Sequence, residues 1–305
     1  MNRIEWNPFR PNVFATFLNE FRSVFFFNSC PVEQMQFHFC KIDSGICISS
    51  VQWISETRVA LGLERGGIEI WEIDESTTSA KIVKRFQHVD GEVWQIRDMA
   101  WDERTKCLAA CSYGRCWIRI WSMDSDQPIH NIEVDGFCYS LAWRPNVTQT
   151  DDEGVDAARK SADNFILVCG LNNRKIVVLT VLEKEKTRTL ISQQSNSFVM
   201  ALSFSPDGRF LATTSGFGEL IIWATENWEP VYIDVEEKIR VGRFSWLSSF
   251  TDVPDYKLTF DSSYGEIHVI EYAVGQNEKP SKDCQIEGSI RMRNGEGIEE
   301  FAVNG

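Results

Sequence analysis

An aromatic residue closes an apolar, strand-like run six times along the chain, at Trp6, Trp53, Trp101, Trp143, Phe204 and Trp246. The intervals are 47, 48, 42, 61 and 42 residues. A unit recurring at that period is one supersecondary module that cannot bury both its faces alone, so successive copies must stack on one another. The clearest copy, residues 202–233, reads "LSFSPDGRFLATTSGFGELIIWATENWEPVYI". A turn at Pro206-Asp207-Gly208 separates its first two strands and a turn at Phe217-Gly218 the next two. The third strand ends at Trp223, and 230–233 form a fourth.

The other copies follow the same order. Second strands read "NVFATF", "RVALGL", "KCLAAC", "FILVCG", "FLATTS" and "KLTFDS"; third strands read "SVFFFN", "GIEIWE", "WIRIWS", "KIVVLT", "ELIIWA" and "EIHVIE". Small residues within apolar second strands suit sheets that taper toward a common axis. The long interval holds 147–163, "VTQTDDEGVDAARKSAD", an acidic, polar stretch without apolar period. Such an insertion belongs in a loop. The repeats therefore fall near 1–41, 46–88, 94–134, 137–192, 197–235 and 239–293, with a polar tail at 294–305. The last repeat draws its fourth strand from 283–292.

On these residues the chain resembles the WD-repeat family over roughly 1–273. The resemblance is strongest at 203–223, good at 51–71 and 99–121, and degenerate elsewhere. The family's Trp-Asp pair stands here as Trp71-Glu72, Trp121-Ser122 and Trp223-Ala224, and no Gly-His pair precedes a repeat. The hydrogen-bonded tetrad of the family cannot form in its usual composition, which shifts stability toward apolar packing between blades. The resemblance implies an all-β fold, a β-propeller of about six four-stranded blades in one domain over 1–293. A closed or nearly closed six-bladed ring is favoured because closure removes exposed strand edges. The alternative is an incomplete seven-bladed propeller within a longer chain.

Between second and third strands the later repeats place Arg65-Gly66, Tyr113-Gly114, Asn172-Asn173, Phe217-Gly218 and Tyr264-Gly265. Gly or Asn in second position suits positive φ. In propellers these turns share one rim with the segments entering each first strand. Arg65, Trp94, Tyr113, Phe137, Tyr139, Phe198, Phe217, Arg240 and Tyr264 are the candidate partner-binding face, because aromatic and Arg side chains dominate binding hot spots. The competing reading folds Phe217 and Tyr264 inward over the blade tops and makes Trp94 a cap on its strand.

No catalytic, cofactor-binding or metal-ligating set is expected. The four His lie far apart, and the three Cys of "CLAACSYGRC" lack the spacing of a zinc site. Nine Cys scattered through apolar runs read as reduced core thiols. A net charge of −13 and pI near 4.9 disfavour direct nucleic-acid binding and anionic membranes. "KEKTRTL" at 184–190 is the clearest basic cluster, expected at a connection between strands. With no signal sequence and no long apolar run, a soluble cytoplasmic or nuclear protein is expected. The family resemblance then implies a non-catalytic scaffold that binds protein or peptide partners within a multiprotein complex. The alternative is a subunit of a ribosome-biogenesis or other ribonucleoprotein complex.

Overall fold

The computed structural model describes residues 2–10, 13–18, 22–28, 40–74, 76–86, 94–145, 165–181, 186–192, 197–217, 219–234, 241–248, 255–262, 266–273 and 286–291. Among them lie six four-stranded sheets. The first joins β1 (Asn2–Trp6), β2 (Val13–Leu18), β3 (Ser23–Asn28) and β4 (Cys40–Asp43). The second joins β5 (Ile48–Trp53), β6 (Arg58–Leu63), β7 (Ile68–Asp74) and β8 (Ser79–Phe86), and the third β9 (Ile96–Asp102), β10 (Cys107–Ser112), β11 (Trp117–Ser122) and β12 (His130–Glu133). The fourth joins β13 (Cys138–Trp143), β14 (Ile166–Leu171), β15 (Lys175–Val181) and β16 (Lys186–Ser192). The fifth joins β17 (Val199–Phe204), β18 (Phe210–Ser215), β19 (Leu220–Ala224) and β20 (Glu229–Asp234). The sixth joins β21 (Val241–Ser248), β22 (Asp255–Ser262), β23 (Glu266–Ala273) and β24 (Ile286–Arg291). Each is a meander in chain order, with antiparallel registers such as Thr213↔Ile221 between β18 and β19.

The chain divides into two compact units, Met1–Leu141 and Ala142–Gly305. In the first, Phe26, Ile42, Trp53 and Leu61 are buried in the core shared by the first two sheets. Ile70, Phe86, Ile96, Leu108 and Trp121 form the core shared by the second and third. Gly62 is required there: a Cβ at that position would lie 2.7 Å from Ile96 Cγ2. A small residue in the second strand thus lets the neighbouring sheet approach. In the second unit Val168, Ile176, Val199, Leu211, Ile221 and Trp223 pack together.

The recurring aromatic has a specific task in both units. Trp53 Nε1 donates to the carbonyl of Glu5 at 3.1 Å, and Trp246 Nε1 donates to the carbonyl of Ser203 at 3.1 Å. Glu5 and Ser203 each stand immediately before the previous repeat's aromatic. The indole therefore ties a sheet to the one before it while burying its ring, and its N–H finds the partner that a buried Trp requires. Phe26 meets the ring of Trp53 edge-on at 5.5 Å, and Phe86 stacks on Trp121 at 5.7 Å.

Of the five expected turn pairs, the second positions Gly218 and Gly265 lie outside the described residues, and the other three can be compared. Gly66 and Gly114 have φ of 77° and 71°, as the turn alignment expects. In the fourth sheet the positive φ, 71°, falls on Arg174 and not on Asn173. At the 206–208 turn Asp207 Oδ1 accepts from Ser205 Oγ and from the Arg209 amide, while Gly208 takes φ of 70°. Residues 187–192, "TRTLIS", form the fourth strand that their composition suggests, as part of β16, so the basic stretch from Lys186 onward is strand and not connection. The fourth strand of the last sheet, β24, lies within the expected 283–292 and pairs with β23. The 147–163 insertion and the 294–305 tail lie outside the described residues.

Candidate functional site

In the first unit Trp94 and Tyr113 meet at one end of the third sheet, while Arg65 stands apart in a turn of the second. The Tyr113 amide donates to the carbonyl of Gln95 at 2.8 Å, which ties the β10–β11 turn to the segment entering β9. Trp94 and Tyr113 are thereby neighbours. The guanidinium of Arg115 sits 3.7 Å from the centroid of the Trp94 ring, a close cation–π stack on a half-buried indole. The Arg97 guanidinium lies 5.1 Å from the ring centroid of Tyr139, which joins the start of β9 to the start of β13. Cys111 Sγ donates to the carbonyl of Cys138 at 3.6 Å, holding Phe137 at this same end. Tyr113 remains 56% exposed and Phe137 41% exposed. Arg65 is exposed in the β6–β7 turn.

In the second unit Phe198 and Phe217 come together at one end of the fifth sheet. The Gly216 amide donates to the carbonyl of Phe198 at 3.0 Å, and a Cβ on Gly216 would lie 2.5 Å from Phe198 Cζ. Phe198 is therefore half-buried over bare backbone. Phe217 is 63% exposed, so it does not fold inward over the blade top. The Ser215 hydroxyl accepts from the amides of Phe217 at 3.3 Å and Glu219 at 3.2 Å, fixing the turn that presents both. Arg240 and Tyr264 lie outside the described residues.

Three residues that sequence reasoning passed over belong to these ends. Arg115 turns Trp94 from a cap into half of a cation–π pair. Trp117 opens β11 at 43% exposed, and its alternation with buried Ile118 and Ile120 was the available signal. Glu219 is 6% exposed, and its Oε2 has no hydrogen-bond partner. A charged residue directly before the apolar run "LIIW" was the signal for it.

Glu219 Oε2 is not alone in this: Trp121 Nε1, Ser140 Oγ and Thr214 Oγ1 are also buried without a hydrogen-bond partner. An open groove of about 490 Å³ lies at the opposite end of the second sheet from Arg65 and is lined by Arg10, Thr57, Glu72, Asp74, Ser76 and Lys81. Hydrogen bonds and ion pairs from Arg58 and Lys81 hold the Glu72 carboxyl below its ordinary value. The seven described cysteines are free thiols, and burial raises those of Cys40, Cys107 and Cys111 above the ordinary thiol value. Among the described residues no three His, Cys, Asp or Glu gather as a metal site, and no helix is long and apolar enough to cross a membrane.

Residues 184–223 match the family model "WD domain, G-beta repeat" and end on Trp223, where the repeat is most regular. Among solved structures the fold aligns with a chain in the crystal structure of the Mitotic Checkpoint Complex. The TM-score is 0.64 at 16% identity, covering 90% of this chain and 76% of that one. It also aligns with the Cps50 (Swd1) beta-propeller domain of Myceliophteria thermophila at a TM-score of 0.59 and 13% identity, covering 82% and 73%. THO complex subunit 3 of Arabidopsis thaliana is 22% identical over 186 residues, 60% of this chain. The match spans about half of that relative, 51%. The fold is thus that of an all-β propeller protein. The repeat match, the propeller neighbours and the distant relative together support a WD-repeat family for this chain.

Proposed function

We propose that the chain is a non-catalytic WD-repeat scaffold that holds a protein partner within a multiprotein complex through the turn aromatics and their arginines. The observation that carries this reading is the pair of turns that leave Tyr113 and Phe217 mostly exposed on hydrogen-bonded backbone. Rigid turns presenting bare aromatic rings lower the ordering cost of binding and supply hot-spot side chains. Tyr113, Phe137, Trp94 and the Arg115 and Arg97 guanidiniums form the patch in the first unit; Phe217 and Phe198 form that in the second. The relative named as a subunit of the THO complex and the neighbour drawn from the Mitotic Checkpoint Complex support a role inside an assembly.

The test is affinity capture of the tagged full chain, with and without nuclease, comparing wild type with Tyr113→Ala/Phe217→Ala. Both rings are exposed, so the double variant keeps its thermal midpoint while capture of the nuclease-resistant partners is lost. Capture unchanged by the substitutions overturns the reading. Loss of every partner on nuclease treatment moves the function to a ribonucleoprotein particle.

A further inference from the structure

Buried polar atoms without partners are scarce in folded proteins, and each one marks strain, a hidden water or a ligand. Glu219 is the one carboxyl group among the described residues with a buried oxygen and no hydrogen-bond partner for it. The other largely buried acids are answered. Glu69 Oε2 accepts from Trp71 Nε1 and its Oε1 from Arg85, while Asp102 accepts from Arg104 and Thr105. Glu219 stands beside Phe217, whose ring is 63% exposed, and the two amides share the Ser215 hydroxyl. One short turn therefore carries an open aromatic face and a recessed carboxyl.

Resting on the scaffold reading, we propose that this turn of the second unit binds a lysine or arginine side chain of a basic peptide segment in the partner. The cation pairs with Glu219, and its aliphatic stem lies along the Phe217 ring. The chemistry of the pair selects that occupant. An acidic or neutral side chain leaves the recessed carboxyl unanswered, whereas a cation on a long flexible stem reaches a recessed acid and covers apolar surface on the way. The aromatic ring adds a cation–π attraction. A chain of net charge −13 also draws a basic segment toward it at long range. The Trp94 end does not offer this chemistry, because its ring already carries Arg115.

The probes are fluorescein-labelled dodecapeptides of alternating Arg-Ala, Lys-Ala and Glu-Ala, titrated against the full chain by fluorescence anisotropy at two salt concentrations. The variants are Glu219→Gln, Phe217→Ala and, as a charge control, Glu226→Gln on the exposed β19–β20 turn. The expected result is binding of the Arg or Lys peptide, weakened tenfold or more by Glu219→Gln, several-fold by Phe217→Ala and less than twofold by Glu226→Gln. Glu219→Gln is expected to raise the thermal midpoint by a few degrees, since it removes an unanswered buried carboxyl, which separates lost binding from lost folding. Equal losses for Glu219→Gln and Glu226→Gln, no loss with Glu219→Gln, or preference for the Glu-Ala peptide overturns the proposal. Partner capture abolished by Phe217→Ala but intact in Glu219→Gln overturns it while leaving the scaffold reading standing.

Discussion

The Trp94 end of the third sheet and the Phe217 end of the fifth are built from the same sequence device, an aromatic-Gly pair between second and third strands, yet they finish differently. At the first, the turn is tied to the entering segment by Tyr113, and Arg115 covers the indole at 3.7 Å. At the second, Phe198 lies over the backbone of Gly216, Phe217 stands bare, and Glu219 has an unanswered oxygen. One end arrives with its cation in place; at the other no cation stacks on the ring among the described residues. The repeat thus sets the backbone of the turn, and two or three side chains decide whether a cation stacks on its aromatic ring.

The largest expected difference between the two ends is steric. Gly216→Val would push a side chain into Phe198, with the first added carbon already 2.5 Å from Cζ, so it is expected to cost about 2–3 kcal/mol through overpacking. Gly114→Ala meets nothing within 4 Å and bears only the conformational cost of φ near 71°, about 1 kcal/mol. Urea midpoints of the two variants measure this. Equal losses would break the distinction between a turn clamped by a ring and a turn clamped by hydrogen bonds.

How much of this the sequence disclosed depends on whether the interaction repeats. Trp53 and Trp246 share one task, each indole reaching the residue before the previous aromatic, whereas Trp101 Nε1 donates to Glu103 within its own repeat. Gly62 could be read as a packing residue because small residues recur in second strands. Arg115 and Trp94 pair once only, across 21 positions, and nothing in the period announces them. The positive φ at Arg174 was missed because Asn172-Asn173 offered two residues tolerant of that region, and the turn used the residue after both. The outer strand β16 was legible in "TRTLIS", and only the overlapping basic cluster was placed at a connection, although edge strands also carry such charges.

A smaller effect sharpens the comparison from the side of the cation. In a double-mutant cycle of Trp94→Phe and Arg115→Ala, the coupling is expected at about 0.5–1 kcal/mol, the size of a partly exposed cation–π pair. Among the described residues no cation stacks on the exposed Phe217 ring, and Phe217→Ala is expected to change stability by less than about 0.5 kcal/mol. Chemical denaturation of the four cycle variants and of Phe217→Ala tests both values. A coupling near zero would make Trp94 an ordinary strand cap, and the two ends would then differ only in shape.

The smallest effect comes from a carboxyl that has what Glu219 lacks. Glu72 accepts hydrogen bonds from Arg58, with Lys81 beside it, and its folded pKa is lowered. A group lowered on folding contributes stability that is fully present above its unfolded pKa of about 4.3 and is lost as pH falls through the folded value. The site is open to water, so that contribution is expected to be only a few tenths of a kcal/mol at neutral pH. Glu72→Gln should therefore lower stability slightly at pH 7, with the gap from wild type closing as the solution is made acid. Glu219→Gln is expected to act with the opposite sign at neutral pH, because it removes an unanswered group instead of an answered one. Urea titrations of both variants between pH 3 and pH 7 decide the point, and effects of the same sign would show that pairing is not what separates these two carboxyls.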